Sequence, residues 1–112
     1  MPLQTLKPKI LAGQSLSDAV DCSTGTVLVM TVPHNWTSAN LTVQVSSDGT
    51  DFYDVVDRQG REFVFPAVAG TAISLGGDDV AWKGMHLKLR SGSRDFPVKQ
   101  VADVEFTVAI QS

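Results

Sequence analysis

Period-two alternation of apolar and polar residues recurs along almost the whole of this chain, and it is cleanest in Leu41-Thr42-Val43-Gln44-Val45-Ser46. Successive side chains of an extended strand point to opposite faces, so Leu41, Val43 and Val45 are predicted to share one face. A helix, with its period of 3.6, cannot gather the same residues on one side. Asp48-Gly49 then supplies the positive-φ chemistry of a turn. The aromatic and β-branched run Phe52-Tyr53-Asp54-Val55-Val56 reads as the returning strand, so a hairpin is expected over 41–56.

The remaining chain repeats this theme. Leu16 to Cys22 alternates weakly. Thr26 to Val32 is the most hydrophobic run and reads as a central strand with both faces largely apolar. Pro33 to Thr37 breaks it into a corner. Arg58-Gln59-Gly60 turns the chain into a strand over 61–65, closed by Pro66. Thr71 to Leu75 alternates again and ends at Gly76-Gly77-Asp78-Asp79, followed by a single helical turn or loop over 80–84. In Met85 to Arg90 the spacing puts Met85, Leu87 and Leu89 inward and His86, Lys88 and Arg90 outward. In the last strand Val104, Phe106, Val108 and Ile110 share a face. No stretch supports a helix of ten or more residues. About eight short strands between Gly, Asp, Ser and Pro turns predict an all-β, antiparallel two-sheet sandwich of jelly-roll-like form. The expected organisation is an extended N-terminal arm over 1–9, punctuated by Pro2 and Pro8, and a single sandwich domain over 10–112.

With 112 residues the chain can bury one core but not two. A net charge of −3, with nine scattered basic residues, argues against nucleic acid as a partner, because neutralising phosphates takes clustered Lys and Arg. The single cysteine, Cys22, has no intramolecular disulfide partner and reads as a small buried hydrophobe. The N-terminal residues lack the pattern of a signal peptide and no apolar run is long enough to span a bilayer, so assembly in a cytoplasm and no membrane partner are expected. The sequons at Asn35 and Asn40 are then chance matches.

Residues able to carry chemistry are sparse. Nucleophilic catalysis needs a nucleophile, a base and an orienting group, and the two histidines, His34 and His86, come with no nucleophile-elbow pattern. Asp48, Asp51, Asp54, Asp57, Asp78 and Asp79 invite a calcium reading, but the spacing of a calcium-binding loop is absent and turn-forming roles suit them better. No metal, no cofactor and no enzymatic activity are expected. Trp36, Tyr53 and Trp82 could build a sugar-stacking platform, although core roles are favoured, with Trp82 plugging the end of a sandwich and Trp36 covering the core at a corner.

Five phrases carry a family resemblance: Gly13 to Ser17, Trp36 to Gly49, Phe52 to Val55, Leu87 to Gly92 and Pro97 to Gln100. Together they resemble a family of small bacteriophage-encoded proteins that also occur in gene-transfer-agent-like elements, over roughly residues 10–110. The resemblance implies a virion structural protein, a β-sandwich on the capsid surface or in the head-spike, tail or fibre region. The Ser47 to Phe52 hairpin is also similar to one in discoidin-like jelly rolls, which bind glycans. The expected function is therefore a non-enzymatic capsid-decoration or head-associated protein of the virion. It would be present in many copies or as a homo-oligomer, with the major capsid protein or other virion proteins as partners. The alternatives are a head-spike base, tail or fibre adaptor, and a carbohydrate-binding module. Leu3, Leu6, Lys7 and Lys9 of the arm, which has no evident partner strand in the sequence, are expected to dock on a neighbouring subunit.

Overall fold

A computed structural model of the chain describes residues 3–75 and 85–111. The described residues hold ten strands and no helix: β1 (Leu3–Leu6), β2 (Lys9–Ile10), β3 (Val20–Asp21), β4 (Thr26–Thr31), β5 (Leu41–Ser46), β6 (Tyr53–Asp54), β7 (Ala72–Ser74), β8 (His86–Ser91), β9 (Val104–Glu105) and β10 (Thr107–Gln111). One four-stranded sheet runs β1-β10-β4-β7, a second runs β3-β8-β5-β6, and β2 and β9 form a two-stranded pair. Every pairing is antiparallel.

The topology follows one rule. β5 pairs with β6, β4 with β7, β3 with β8, β2 with β9 and β1 with β10, so the chain is a single long antiparallel ribbon doubled back at the β5–β6 turn. Two further pairings, β10 with β4 and β8 with β5, roll that ribbon into two sheets. Both sheets turn their apolar faces to one shared core of Ile10, Val27, Met30, Leu41, Val43, Leu87, Leu89, Val104, Phe106, Val108 and Ile110, among others. Trp36 plugs one end of this core, its ring set edge-on to Phe106 at 5.3 Å and its Nε1–H donating to the Ala39 carbonyl.

Alternation is obeyed closely in β5, β8 and β10, and broken once to good effect in β4. Along β10, Ala109 faces Val29 but the next residue, Ile110, faces Val27, so Leu28 is an extra residue in β4. This bulge swaps the inward parity of the strand. Val27 and Met30 are both fully buried, while Leu28 and Val29 are only half-buried. A run apolar on both faces is thus reconciled with a sheet that has only one face against the core.

Several expectations need correcting. The N-terminal arm does have a partner strand within its own chain: Leu3 to Leu6 pair with Gln111 to Val108 in unbroken register. Lys9–Ile10 pairs with Val104–Glu105. Alternation in so short a segment is invisible in the sequence, and its partner lies a hundred residues away. The strand expected over 61–65 is reduced to bridges at Glu62 and Phe65, with Phe65 on Leu41 and Glu62 on Val56. The β5–β6 connection is wider than a two-residue turn, with Val45 opposite Tyr53. Gly49 sits in it with φ of +80°, and a Cβ there would lie 3.3 Å from the His86 ring, so the position needs glycine for both conformation and space. The helical turn or loop expected over 80–84, and Asp78 and Asp79, lie outside the described residues.

Candidate functional site

The β3-β8-β5-β6 sheet turns an outward face that carries most of the chemistry-bearing residues. Antiparallel register sets His86 opposite both Asp21 and Ser46, and Arg90 opposite Thr42. Ser46, His86 and Asp21 thus form a row across three strands, superficially a nucleophile, base and acid. Their hydrogen bonds say otherwise. The Ser46 hydroxyl donates to Asp48 Oδ1 at 2.8 Å and accepts from the Gly49 amide at 2.9 Å, so it organises the turn. His86 Nδ1 lies 3.9 Å from Asp21 Oδ1, beyond good hydrogen-bonding distance. Cys22 is buried with its thiol pushed up to about 11, first by desolvation and then by the Asp21 charge, the opposite of an activated nucleophile. His34 stands exposed in a loop with its ring against Gly70.

At the other end of this face Arg90 is 7% exposed, although its position in the strand alternation points outward. The chain over 54–65 covers it: Arg90 donates from Nε to Thr42 Oγ1, from Nη1 to Asp54 Oδ1 at 2.8 Å and from Nη2 to Glu62 Oε2. Glu62 also accepts from the Arg94 amide. The guanidinium fork is therefore already occupied by the protein's own carboxylates. The aspartates once weighed as calcium ligands have similar duties. Asp48 Oδ1 accepts from the amides of Thr50 and Asp51, and those bonds hold its carboxyl down at about 2. Asp57 Oδ1 accepts from Gln59 and Arg61, which lowers its pKa too. No group of three or more metal-ligating side chains occurs among the described residues.

The proposed sugar platform does not assemble from its described members. Trp36 is 7% exposed and committed to the core, whereas Tyr53 is exposed on β6, toward the opposite end of the sheets. Trp82 lies outside the described residues. The arm residues separate as well: Leu6 packs against the core, Leu3 is exposed on the outer face of its sheet, and Lys7 and Lys9 are exposed.

A different surface stands out. The connections over 11–15, 32–40, 66–71 and 92–103 all gather at the end of the sheets where Thr31, Thr107, Leu41 and Ser91 lie. Gln100, fully buried on the last of them, ties it to the first two. Its side-chain amide donates to the Thr37 carbonyl and to Ser91 Oγ and accepts from the Thr37 amide at 2.8 Å. Its backbone donates to the Gln14 carbonyl and accepts from the Gly13 amide. Asn35 donates to the Asp103 carbonyl, and Gly70 to Val32. From this pinned base rise exposed apolar side chains on three of the loops: Leu11, Val68, and, both on the 92–103 connection, Phe96 at 80% and Val101 at 81% exposure. Large apolar groups held in water on a rigid frame suit contact with another macromolecule. Sequence reasoning missed them because a loop residue lies outside any alternation that would predict its exposure. The one available signal was Phe96 within the polar, Pro-containing stretch 91–97.

No protein-family model, no curated protein and no solved structure matches this chain.

Proposed function

We propose that this chain is a non-enzymatic structural protein of a bacteriophage-like particle, a jelly-roll subunit that attaches to the particle surface through its loop end. The observation that carries the reading is that end itself: loops tied together by Gln100 and by the Gly70–Val32 bond, displaying Leu11, Val68, Phe96 and Val101. Loops fixed in advance lose little conformational freedom on docking, so their apolar contact area converts to affinity more fully. On a lattice of identical subunits, many modest contacts of this kind add through effective concentration.

Two further observations support it. The ribbon that doubles back and rolls into two four-stranded antiparallel sheets supports a jelly-roll reading, an architecture common in viral capsid and lectin domains. Fold alone does not assign function, and here the side chains matter as much. Ser46, Asp21, Asp48 and Asp57 serve turns, and Arg90 an internal ion-pair cluster. The family resemblance of the sequence points the same way.

The test is mass spectrometry of purified particles from cells that carry this gene. The polypeptide is expected at hundreds of copies per particle, the order of magnitude for surface decoration. A few dozen would favour a head-spike, tail or fibre adaptor, and absence would defeat the proposal. Phe96→Ser with Val101→Ser is expected to abolish attachment while leaving the far-ultraviolet spectrum and melting temperature of the isolated protein unchanged.

A further inference from the structure

Phe96, the most exposed aromatic side chain among the described residues, stands on a tight turn. Gly92 and Pro97 form an antiparallel bridge at its base. Above them the Ser93 amide donates to the Phe96 carbonyl at 3.2 Å, and the Phe96 amide donates back to Ser93 Oγ at 3.1 Å. Arg94 and Asp95 form the tip. Gly92 has φ of +87°, and a Cβ there would collide with the Phe96 carbonyl, so the base of the turn lies directly on the Phe96 backbone. With its side chain 80% exposed, Phe96 takes its direction from the turn backbone rather than from packing.

Two relays join this turn to the buried Arg90 guanidinium. At the base, Thr42 Oγ1 accepts from Arg90 Nε at 3.0 Å and donates to the Gly92 carbonyl at 2.9 Å. Thr42 and Arg90 face each other across β5 and β8, so this relay starts from a fixed frame. A hydroxyl that accepts from a guanidinium keeps its own hydrogen for an acceptor on the other side. At the tip, Glu62 pairs with Arg90 Nη2 and accepts from the Arg94 amide at 3.2 Å. The ion pair holds the carboxylate where it meets that amide. Among the described residues the Arg94 amide has no other acceptor.

We propose, resting on the particle reading above, that Arg90 is a positioning residue for attachment. Through Thr42 and Glu62 it grips the Phe96 turn at base and tip and presets the direction of the exposed ring. Arg90 itself is 7% exposed and touches no partner. Asp54 and Glu62 already balance its charge, so a cluster serving stability alone would need neither outward link. Both links instead end on the one turn that carries Phe96. An aromatic ring held in one direction loses little freedom on docking, and its contact area converts more fully to affinity.

Amide hydrogen exchange of the isolated protein, resolved by residue with NMR, tests the clamp. Thr42→Val cuts the base relay and Glu62→Ala the tip relay. Each is expected to speed exchange at the Ser93 and Phe96 amides by about fivefold or more relative to the amides of β4 and β10. Those two amides bond within the turn, so neither substitution removes their acceptors and faster exchange reports a looser turn. Thr42→Ser and Glu62→Gln keep the bonding groups and are expected to restore the wild-type pattern. Unchanged exchange in both cutting variants overturns the proposal. So does an acceleration shared equally by β4 and β10, which would make the cluster a matter of global stability. Particle binding is read separately: Glu62→Ala bound as tightly as the wild type, with its turn loosened, overturns the positioning role. A wild-type chain that binds no particle defeats the particle reading alone, because exchange decides whether the clamp holds the turn.

Discussion

Arg90 donates from three nitrogens, to Thr42, Asp54 and Glu62, with almost no contact with water. One cation between two carboxylates is the local electrostatic balance of this part of the fold. Removing it leaves two acids facing each other under a covering hairpin. Arg90→Met is expected to cost roughly 3 kcal/mol, the low end for breaking a buried ion pair, because the carboxylates keep some access to water. Glu62→Gln keeps an acceptor in place and leaves Asp54 as counter-ion, so it is expected to cost only about 1 kcal/mol. Urea denaturation at neutral pH measures both, and a Glu62→Gln cost equal to that of Arg90→Met would refute this account of the cluster. Asp48 gives a pH test. Its folded pKa, about 2, lies below the unfolded value near 3.9. The charged form is therefore favoured by folding, and its contribution is present above about pH 4 and lost as pH falls toward 2. The melting temperature of Asp48→Asn should lie below that of the wild type at neutral pH, with the gap closing between those pH values. A gap that does not vary with pH would show that the carboxylate charge is immaterial.

Single elements show how short-range pattern and long-range pairing share control. In β1, Leu6 faces Val108 and packs against the core, while Leu3 faces Gln111 on the outer side. Leu6→Ala is expected to cost about 1–2 kcal/mol, below the range for fully buried leucines because Leu6 is only partly covered. Leu3→Ala is expected to change monomer stability by no more than about 0.5 kcal/mol. Equal effects in thermal or chemical unfolding would mean that β1 is not seated as described. β4 carries the complementary lesson. Its uniformly apolar sequence does not say which residues face inward, and the bulge at Leu28 decides for Val27 and Met30.

At the scale of the molecule, nesting is the dominant fact. The β5–β6 hairpin closes locally, but β1 and β10 meet only when the two termini come together. Loop-closure entropy for the outer pairs must be met before their contacts give anything back, so folding is expected in milliseconds to seconds, as for other non-local β topologies. Stopped-flow refolding monitored by tryptophan fluorescence checks this. Full recovery within microseconds would contradict the nested order, since the Trp36–Phe106 contact joins residues seventy apart in sequence.

The local pattern of the chain determined its class, most of its strands and the inward residues of β5, β8 and β10, because side-chain alternation is a property of a few neighbouring residues. Turn chemistry was also legible: Asp48 caps its turn as a short polar residue next to a glycine does. Only the tertiary structure decided which strand lies beside which. It gave the N-terminal segment a partner in β10, split the last strand into β9 and β10, and buried Arg90 under a hairpin from another part of the chain. It also tied the connections over 11–15 and 32–40 to Gln100 and left Phe96 and Val101 in water. The physical reason is the same throughout. Alternation tells a residue which way to face but not what it will meet, and meeting depends on the closure of loops tens of residues long.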